Sequence, residues 1–532
     1  MMSFSKIEKK LIIVALALGL INFVIVYLTG YMFLAFSMGS LCTKKLFGKA
    51  MVAFHVLILI AIWQGIVYAI NSMFIIKYRI NRKMFLYSIT YFLIMLMILY
   101  LVYPGAWSAD DYGVLRAAHE MQILPWQNFI SSVFMIQSLM LIPIMAGPII
   151  VQIILISIIV GYLISRVNEI FRVKSPLEWM LIFPFILPAI LSNNFSAFRA
   201  IMHGYLLLLL MLIFFCCFFE QKRISERKLS GIVFLSIVVG GWRTEYIFYV
   251  ITIPILMFAL GRSRISFKRV VIASIVIIIG ILGIGKINNT MLTNNNYSLI
   301  QTYDEIADLM LVVDNDKDKE EIAALEKIIN LDIFRSHPGE HGVYLHWQYN
   351  LIKGSYTEQD YKAYLKAYIK LCLKYPKTFL ANRVECFIDN TGINKKQTSL
   401  TREACLLYEN YDVIKDLDGM IAINPLNSEL RKTTLRLLGC ENEDYKKNNA
   451  FCVFWNTGIG IIYLMIFLIL FIRKKQWYLM LLIGNILSVV GLLFLTTPYY
   501  YFMYYFSLYL LGNVTLIIGI HYLIHKKENA KM

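Results

Sequence analysis

The chain has 532 residues, 59% of them hydrophobic, with a mean hydropathy of +0.64. That composition excludes an ordinary water-soluble globular protein and marks a polytopic membrane protein. The net charge of +17 suggests nucleic acid at first sight, but residues 288–450 hold 24 acidic against 20 basic residues, while the remainder holds 31 basic and 10 acidic. The basic excess falls in short loops between apolar runs, as the positive-inside rule predicts, so no nucleic-acid partner is expected.

In chain order, Met1–Lys10 is basic and is followed by Leu11–Phe36, which is too long for a signal-peptide core and lacks a cleavage site. It is read as the first span. Further spans are expected near 50–75, 84–103, 148–165, 178–192, 199–219, 229–241, 246–261, 269–287, 452–472, 477–495 and 501–524, about 12 in all. Basic loops at 77–83, 166–174, 221–228, 261–269 and 473–475, and the tail from His525, place both termini in the cytoplasm. Residues 104–128, Asn193–Asn194, Trp242–Glu245, 288–450 and Thr496–Tyr501 then lie outside. Phe129–Gly147 is apolar, but counting it as a span would invert every later loop, so it reads as a half-inserted or re-entrant helix packed on protein. The runs 229–241 and 246–261 are short for the roughly 20 residues a span needs. Their junction, Trp242-Arg-Thr-Glu245, is therefore expected to dip below the outer membrane surface.

The expected organisation is a transmembrane region over 1–287, an extracytoplasmic, mostly helical domain over 288–450, and three spans in 451–532. Helical stretches in the polar domain include Glu320–Ile329 and Asp360–Lys374, the latter with Tyr361, Tyr364, Leu365, Tyr368, Leu371 and Cys372 on one side. Eight cysteines show no CxxC spacing. Cys42, Cys216 and Cys217 read as small core residues. Cys372, Cys386, Cys405, Cys440 and Cys452 leave room for one or two disulfides if their segment is outside the cell. His337-Pro-Gly-Glu-His341 and His346 match no helical zinc spacing.

Ten acids lie outside 288–450, and on this topology only Asp110, Asp111, Glu120 and Glu245 face outward. Asp110 and Asp111 follow a turn set by Pro104-Gly105 at the end of the run Met84–Val102. A carboxylate there is suited to act as general base or metal ligand, or simply caps a helix over Tyr112–Met121. Arg243 and Glu245 flank the second membrane-level turn. The arginine suits a phosphate, and the alternative is an internal salt bridge between two short helices. Arg199 and His203, one turn apart, and Lys286 are further phosphate candidates that can instead snorkel to lipid head groups. Arg116 and His119 are candidate substrate contacts on a face that is otherwise simply solvated. Tyr499 and Tyr500 open the cluster Tyr499–Tyr505, which serves either as an aromatic belt or as a stacking surface for a sugar or polyprenyl chain.

Pro104-Gly-x-x-x-x-Asp110 in the first large outer loop resembles bacterial membrane glycosyltransferases of the GT-C superfamily. The likeness extends to the Arg243-x-Glu245 turn and to Pro498 with Tyr499–Tyr505 before the last span. The chain departs from the pattern where Leu124-Pro125-Trp126 replaces a histidine-proline, and where Tyr-Tyr replaces an Arg-Tyr near the last spans. The resemblance implies an all-α, GT-C-like bundle in a bacterial plasma membrane. It implies an inverting enzyme that moves a sugar from a polyprenyl-phosphate carrier to an outer acceptor: a cell-envelope glycan, teichoic acid, lipid or protein. Asp110 would be the lead catalytic acid, with Asp111 and Glu245 beside it and Arg243 as lead phosphate contact. The resemblance names no certain cofactor beyond the polyprenyl-phosphate sugar as donor substrate, and a divalent cation, Mg or Mn, is compatible with the loop acid. Two other classes remain open, a surface polysaccharide polymerase or ligase and a lipid-linked sugar flippase or transporter.

Overall fold

A computed structural model describes residues 6–37, 39, 45–76, 78–107, 109–124, 126–173, 177–261, 264–291, 296–393, 420, 423–438, 453–498 and 502–529. The described residues are helical throughout, apart from turns and one isolated antiparallel bridge between Ile329 and Ile352. The first half contains α1 (Lys6–Leu28), α2 (Lys45–Ile70), α3 (Arg79–Val102), α4 (Ala109–His119), α5 (Phe129–Leu141) and α6 (Gly147–Phe171). After these come α7 (Pro188–Asn194), α8 (Arg199–Glu220), α9 (Glu226–Trp242), α10 (Tyr249–Ala259) and α11 (Phe267–Met291).

Eight helical stretches among the described residues are long and apolar enough to cross a bilayer. They are Glu8–Leu28, Leu46–Ile75, α3, α6, α8, α11, Trp477–Thr496 and Phe506–Lys526. The chain is therefore a helical multi-pass membrane protein. Four of the expected spans depart from a full straight helix. The run near 178–192 is a 3₁₀ segment, Leu177–Ile186, that meets α7 at a 66° bend. Pro184 and Pro188 each remove a backbone donor there, and proline breaks a helix for that reason. The counterparts of 229–241, 246–261 and 452–472 contain 17, 11 and 17 residues. The first run also ends early, because Gly30 takes a left-handed conformation just after α1.

Helix α5 has 13 residues, about 20 Å of rise, which falls short of the roughly 30 Å hydrocarbon core. Its Ser131, Ser132, Gln137 and Ser138 are buried. Gln137 Nε2 donates to the Met51 carbonyl at 3.0 Å, and its Oε1 lies 3.0 Å from His55 Nδ1 on α2. Asn288 of α11 accepts from the Phe129 N–H at 2.7 Å. The helix thus has the protein-lined surroundings that a half-inserted element requires.

The basic loops gather at one end of the bundle, and ion pairs hold them together. Glu178 meets Lys83 and accepts from the Tyr87 hydroxyl, both at 2.6 Å. Glu220 pairs with Arg166 and, at 2.9 Å, with Lys228. Glu226 pairs with Arg269 at 2.9 Å, Glu8 with Arg227 at 2.6 Å, and Glu169 with Arg166. These are five of the six acids that the sequence assigns to the basic side, the sixth being Glu528 near the end of the chain.

The polar segment contributes α12 (Asn296–Ile300), α13 (Tyr303–Leu309), α14 (Lys319–Glu326), α15 (Leu331–Ser336), α16 (Gly342–Tyr349), α17 (Glu358–Lys374), α18 (Pro376–Thr391) and α19 (Ser428–Leu437). Leu299, Tyr303, Ile306, Leu325, Phe334, Tyr364 and Leu371 form a core separate from that of the bundle. Helix α17 starts at a capping box between Thr357 and Asp360, and it buries the apolar side read from its period. The later helices belong elsewhere. Leu435 and Leu438, in and just after α19, join the bundle core, and Arg431 donates to the Gly105 carbonyl at 2.9 Å. Helix α18 lies across the ends of α20 (Thr457–Arg473) and α21 (Trp477–Thr496), and α22 (Phe506–Asn529) closes the bundle. Cys216, Cys217, Cys372 and Cys386 are free thiols, whereas Cys42, Cys405, Cys440 and Cys452 lie outside the described residues.

Candidate active site

The turn after α3 is held from three sides. The Ala106 N–H donates to the Phe195 carbonyl at 2.8 Å, and Trp107 Nε1 donates to the Pro104 carbonyl at 3.1 Å. Arg431 closes it from above. Gly105 has φ +125°, and a Cβ there would stand 2.9 Å from the Phe195 carbonyl oxygen and collide with Ile149. Only glycine fits both the conformation and the space.

This turn launches α4, and helical geometry then parts the two aspartates by about 100°. Asp111 is 1% exposed, and its Oδ2 accepts from Ser196 Oγ at 3.0 Å. It anchors α4 to the 195–198 loop. Asp110 remains partly exposed. Burial pushes its carboxyl above the usual aspartate value, while the nearby Arg199 guanidinium pulls the other way.

Arg199, the first residue of α8, stands at the centre of the charged groups. It donates from Nη1 to the Trp126 carbonyl at 2.5 Å, and its guanidinium carbon lies 5.8 Å from the Trp126 ring centre. Its own carbonyl accepts from Trp242 Nε1 at 3.0 Å. It is within electrostatic reach of both Asp110 and Glu245. Glu245 forms a two-point pair with Arg243, at 2.9 Å from Nη2 and 3.4 Å from Nε. The Arg243 guanidinium carbon lies 5.9 Å from both the Tyr246 and Tyr504 rings, and the Tyr246 hydroxyl meets Ser507 Oγ at 3.2 Å. One turn into α8, the buried His203 ring packs on Tyr246 with centroids 4.0 Å apart.

Asp110, Arg199, His203, Arg243 and Glu245 therefore form one cluster, at the end of the bundle opposite the basic loops. The other candidates lie apart from it. His119 is buried, and its Nδ1 donates to the Ala35 carbonyl at 2.5 Å, while its own carbonyl accepts from the Ser37 N–H at 3.1 Å. It fastens α4 to the segment after α1, which corrects its placing on a solvated face: the 35–37 segment covers that side of the helix. Arg116 is exposed and pairs with Glu120 at 3.4 Å. Lys286 is exposed on α11, about 200° around the helix from Asn288, the residue that faces α5. Tyr499 and Tyr500 lie outside the described residues.

Among the described residues no three His, Cys, Asp or Glu side chains converge as metal ligands. In the cluster, the carboxylates of Asp110 and Glu245 are answered by the guanidinium groups of Arg199 and Arg243. That donor set does not fit Mg or Mn, which seek uncompensated oxygen ligands. Trp126, Ser196, Tyr246 and Ser507 were not singled out from the sequence. They complete the site through contacts between distant segments, for which no local spacing gives a sign.

The fold and cluster define a helical multi-pass membrane protein with a buried charged centre near one end. Comparison of the chain with protein-family models, curated proteins and solved structures gave no match.

Proposed function

We propose that the chain is an inverting membrane glycosyltransferase that moves a sugar from a polyprenyl-phosphate carrier to a cell-envelope acceptor. Its site would face the outside of a bacterial plasma membrane, with both termini cytoplasmic. The observation that carries this reading is the meeting of Asp110 with Arg199 and the Arg243–Glu245 pair, although α4, α8 and the α9–α10 junction are far apart in sequence.

In this reading the acceptor hydroxyl gives its proton to Asp110 as its oxygen bonds to the sugar C1. The bond from C1 to the carrier phosphate breaks, and the electron pair leaves with the phosphate. Arg199, fixed by Trp126, offsets that charge. Arg243 acts behind it, held by Glu245 and the two tyrosine rings. Asp111 and His119 position α4.

The test is transfer from a polyprenyl-phosphate sugar by the full-length protein in proteoliposomes. Asp110→Asn is expected to lower turnover by about 10²-fold or more. The wild-type rate should fall on acidification through a midpoint above the ordinary aspartate value, because Asp110 must be deprotonated to accept the proton. Undiminished transfer by Asp110→Asn overturns the proposal. A polysaccharide polymerase or ligase is the second reading, favoured by the deep burial of Arg199 and His203. It predicts that Arg199→Ala abolishes chain joining while Asp110→Asn does not.

A further inference from the structure

Helix α18 meets a different environment on each of three sides. Toward the bundle, Arg383 Nη1 donates to the Thr497 carbonyl at 3.1 Å, and the Phe387 ring packs 6.0 Å from Phe494 and 5.8 Å from Tyr505. At its end, the Thr391 carbonyl accepts from Thr457 Oγ1 at 3.1 Å. Thr497 follows α21 and Thr457 begins α20, so the helix lies across the end of this hairpin, opposite the basic loop at 473–475. About 100° to one side of Arg383, Asn382 donates to the Asp304 carbonyl at 3.2 Å and to Asp308 Oδ2 at 2.7 Å. Asp389, on the same side, approaches His341 at 4.0 Å. That side faces the polar helices.

The remaining side, about 100° the other way, carries Leu380, Val384 and Ile388 at i, i+4 and i+8. Together with Ala381 they line an open groove bordered by Lys377 and Glu385. Leu380 is 51% and Val384 46% exposed. This stripe points away from the polar helices, at the level where the apolar spans α20 and α21 end. An apolar stripe in that position looks onto the rim of the bilayer.

We infer that α18 is an interfacial helix, and that phospholipid occupies the groove along Leu380, Val384 and Ile388. The stripe lies at the level where the two spans end, and Lys377 sits with Glu385 at its border, where a lysine can meet lipid phosphate. Such helices sink about 5–10 Å into the headgroup–acyl boundary. The same helix holds the Thr497 carbonyl through Arg383, so its seat in the leaflet bears on the end of α21.

A fluorescent amino acid placed at Val384 tests this in the full-length protein, reconstituted in phosphatidylglycerol–phosphatidylcholine nanodiscs with and without brominated acyl chains. A probe at Tyr344, 43% exposed on α16, serves as the reference. Bromolipid is expected to quench the probe at Val384 by about twofold or more, given that insertion depth, and to leave the probe at Tyr344 unchanged. A probe at Leu380 should follow the one at Val384. Equal quenching at Val384 and Tyr344 overturns the inference. So does blue-shifted emission at Val384 without quenching, which would mean that protein covers the groove.

Discussion

Asp110 and Asp111 are neighbours that helical geometry sends to different tasks. Asp111 is buried on Ser196, whereas Asp110 keeps access to solvent and faces Arg199. The turn beneath them depends on Gly105. Gly105→Ala would force a Cβ into a left-handed conformation against the Phe195 carbonyl. A destabilisation of about 1–3 kcal/mol is expected, read as a lowered unfolding temperature in detergent, together with loss of the site's activity. The sequence singled out Asp110 from a scarcity of acids, and it offered the pairing of Arg243 with Glu245 as the alternative to a phosphate contact. Trp126 was visible only as a departure from a motif. Its contact with Arg199 spans more than seventy positions, and nothing local predicts that.

At the scale of elements, periodicity and punctuation read well where they were strong. The apolar side of α17 emerged as the spacing suggested, whereas its capped start at Thr357 was not read from the sequence. The bend between Leu177–Ile186 and α7 was written in Pro184 and Pro188, but a hydropathy run does not distinguish one span from a broken one. Helix α19 was not legible at all. Its amphipathic pattern says that it packs, not against what, and the contact it makes is with the Gly105 turn. Arg431→Ala removes a buried donor from that turn, at an expected cost of about 1–3 kcal/mol. Hydrogen exchange should show lost protection at Ala106 and along the start of α4, with the α12–α17 core unchanged. Unaltered exchange at Ala106 would dissociate α19 from the site.

For the molecule as a whole, the joint between polar helices and bundle carries an unusual charge. Glu305 and Arg383 pair at 3.0 Å with both side chains at or below 1% exposure. Burial raises the Glu305 carboxyl to about 7. Arg383 opposes that rise and Asp304 adds to it. The folded state therefore binds this proton more tightly than the unfolded chain does. The stability it gives is fully present below the ordinary glutamate value and is lost as pH rises through about 7. Thermal unfolding of the polar helices should accordingly shift downward between mildly acidic and mildly alkaline buffer. Glu305→Gln, which cannot ionise, should flatten that slope. A wild-type unfolding temperature independent of pH across this window would count against it.

Division of labour within 288–450 has a consequence for how the protein can be taken apart. Residues 299–371 resemble a module, with a core of their own, but α18 and α19 serve as part of the bundle's upper course. Excising the whole segment would not yield a trimmed scaffold. It would uncover Phe494, Tyr505 and the Gly105 carbonyl together, opening the roof over the charged centre from two directions. The joint of the molecule is therefore α18 itself, tied to the polar helices through Glu305 and Asp308 and to the bundle through Thr497, inside what composition marks as a single insert.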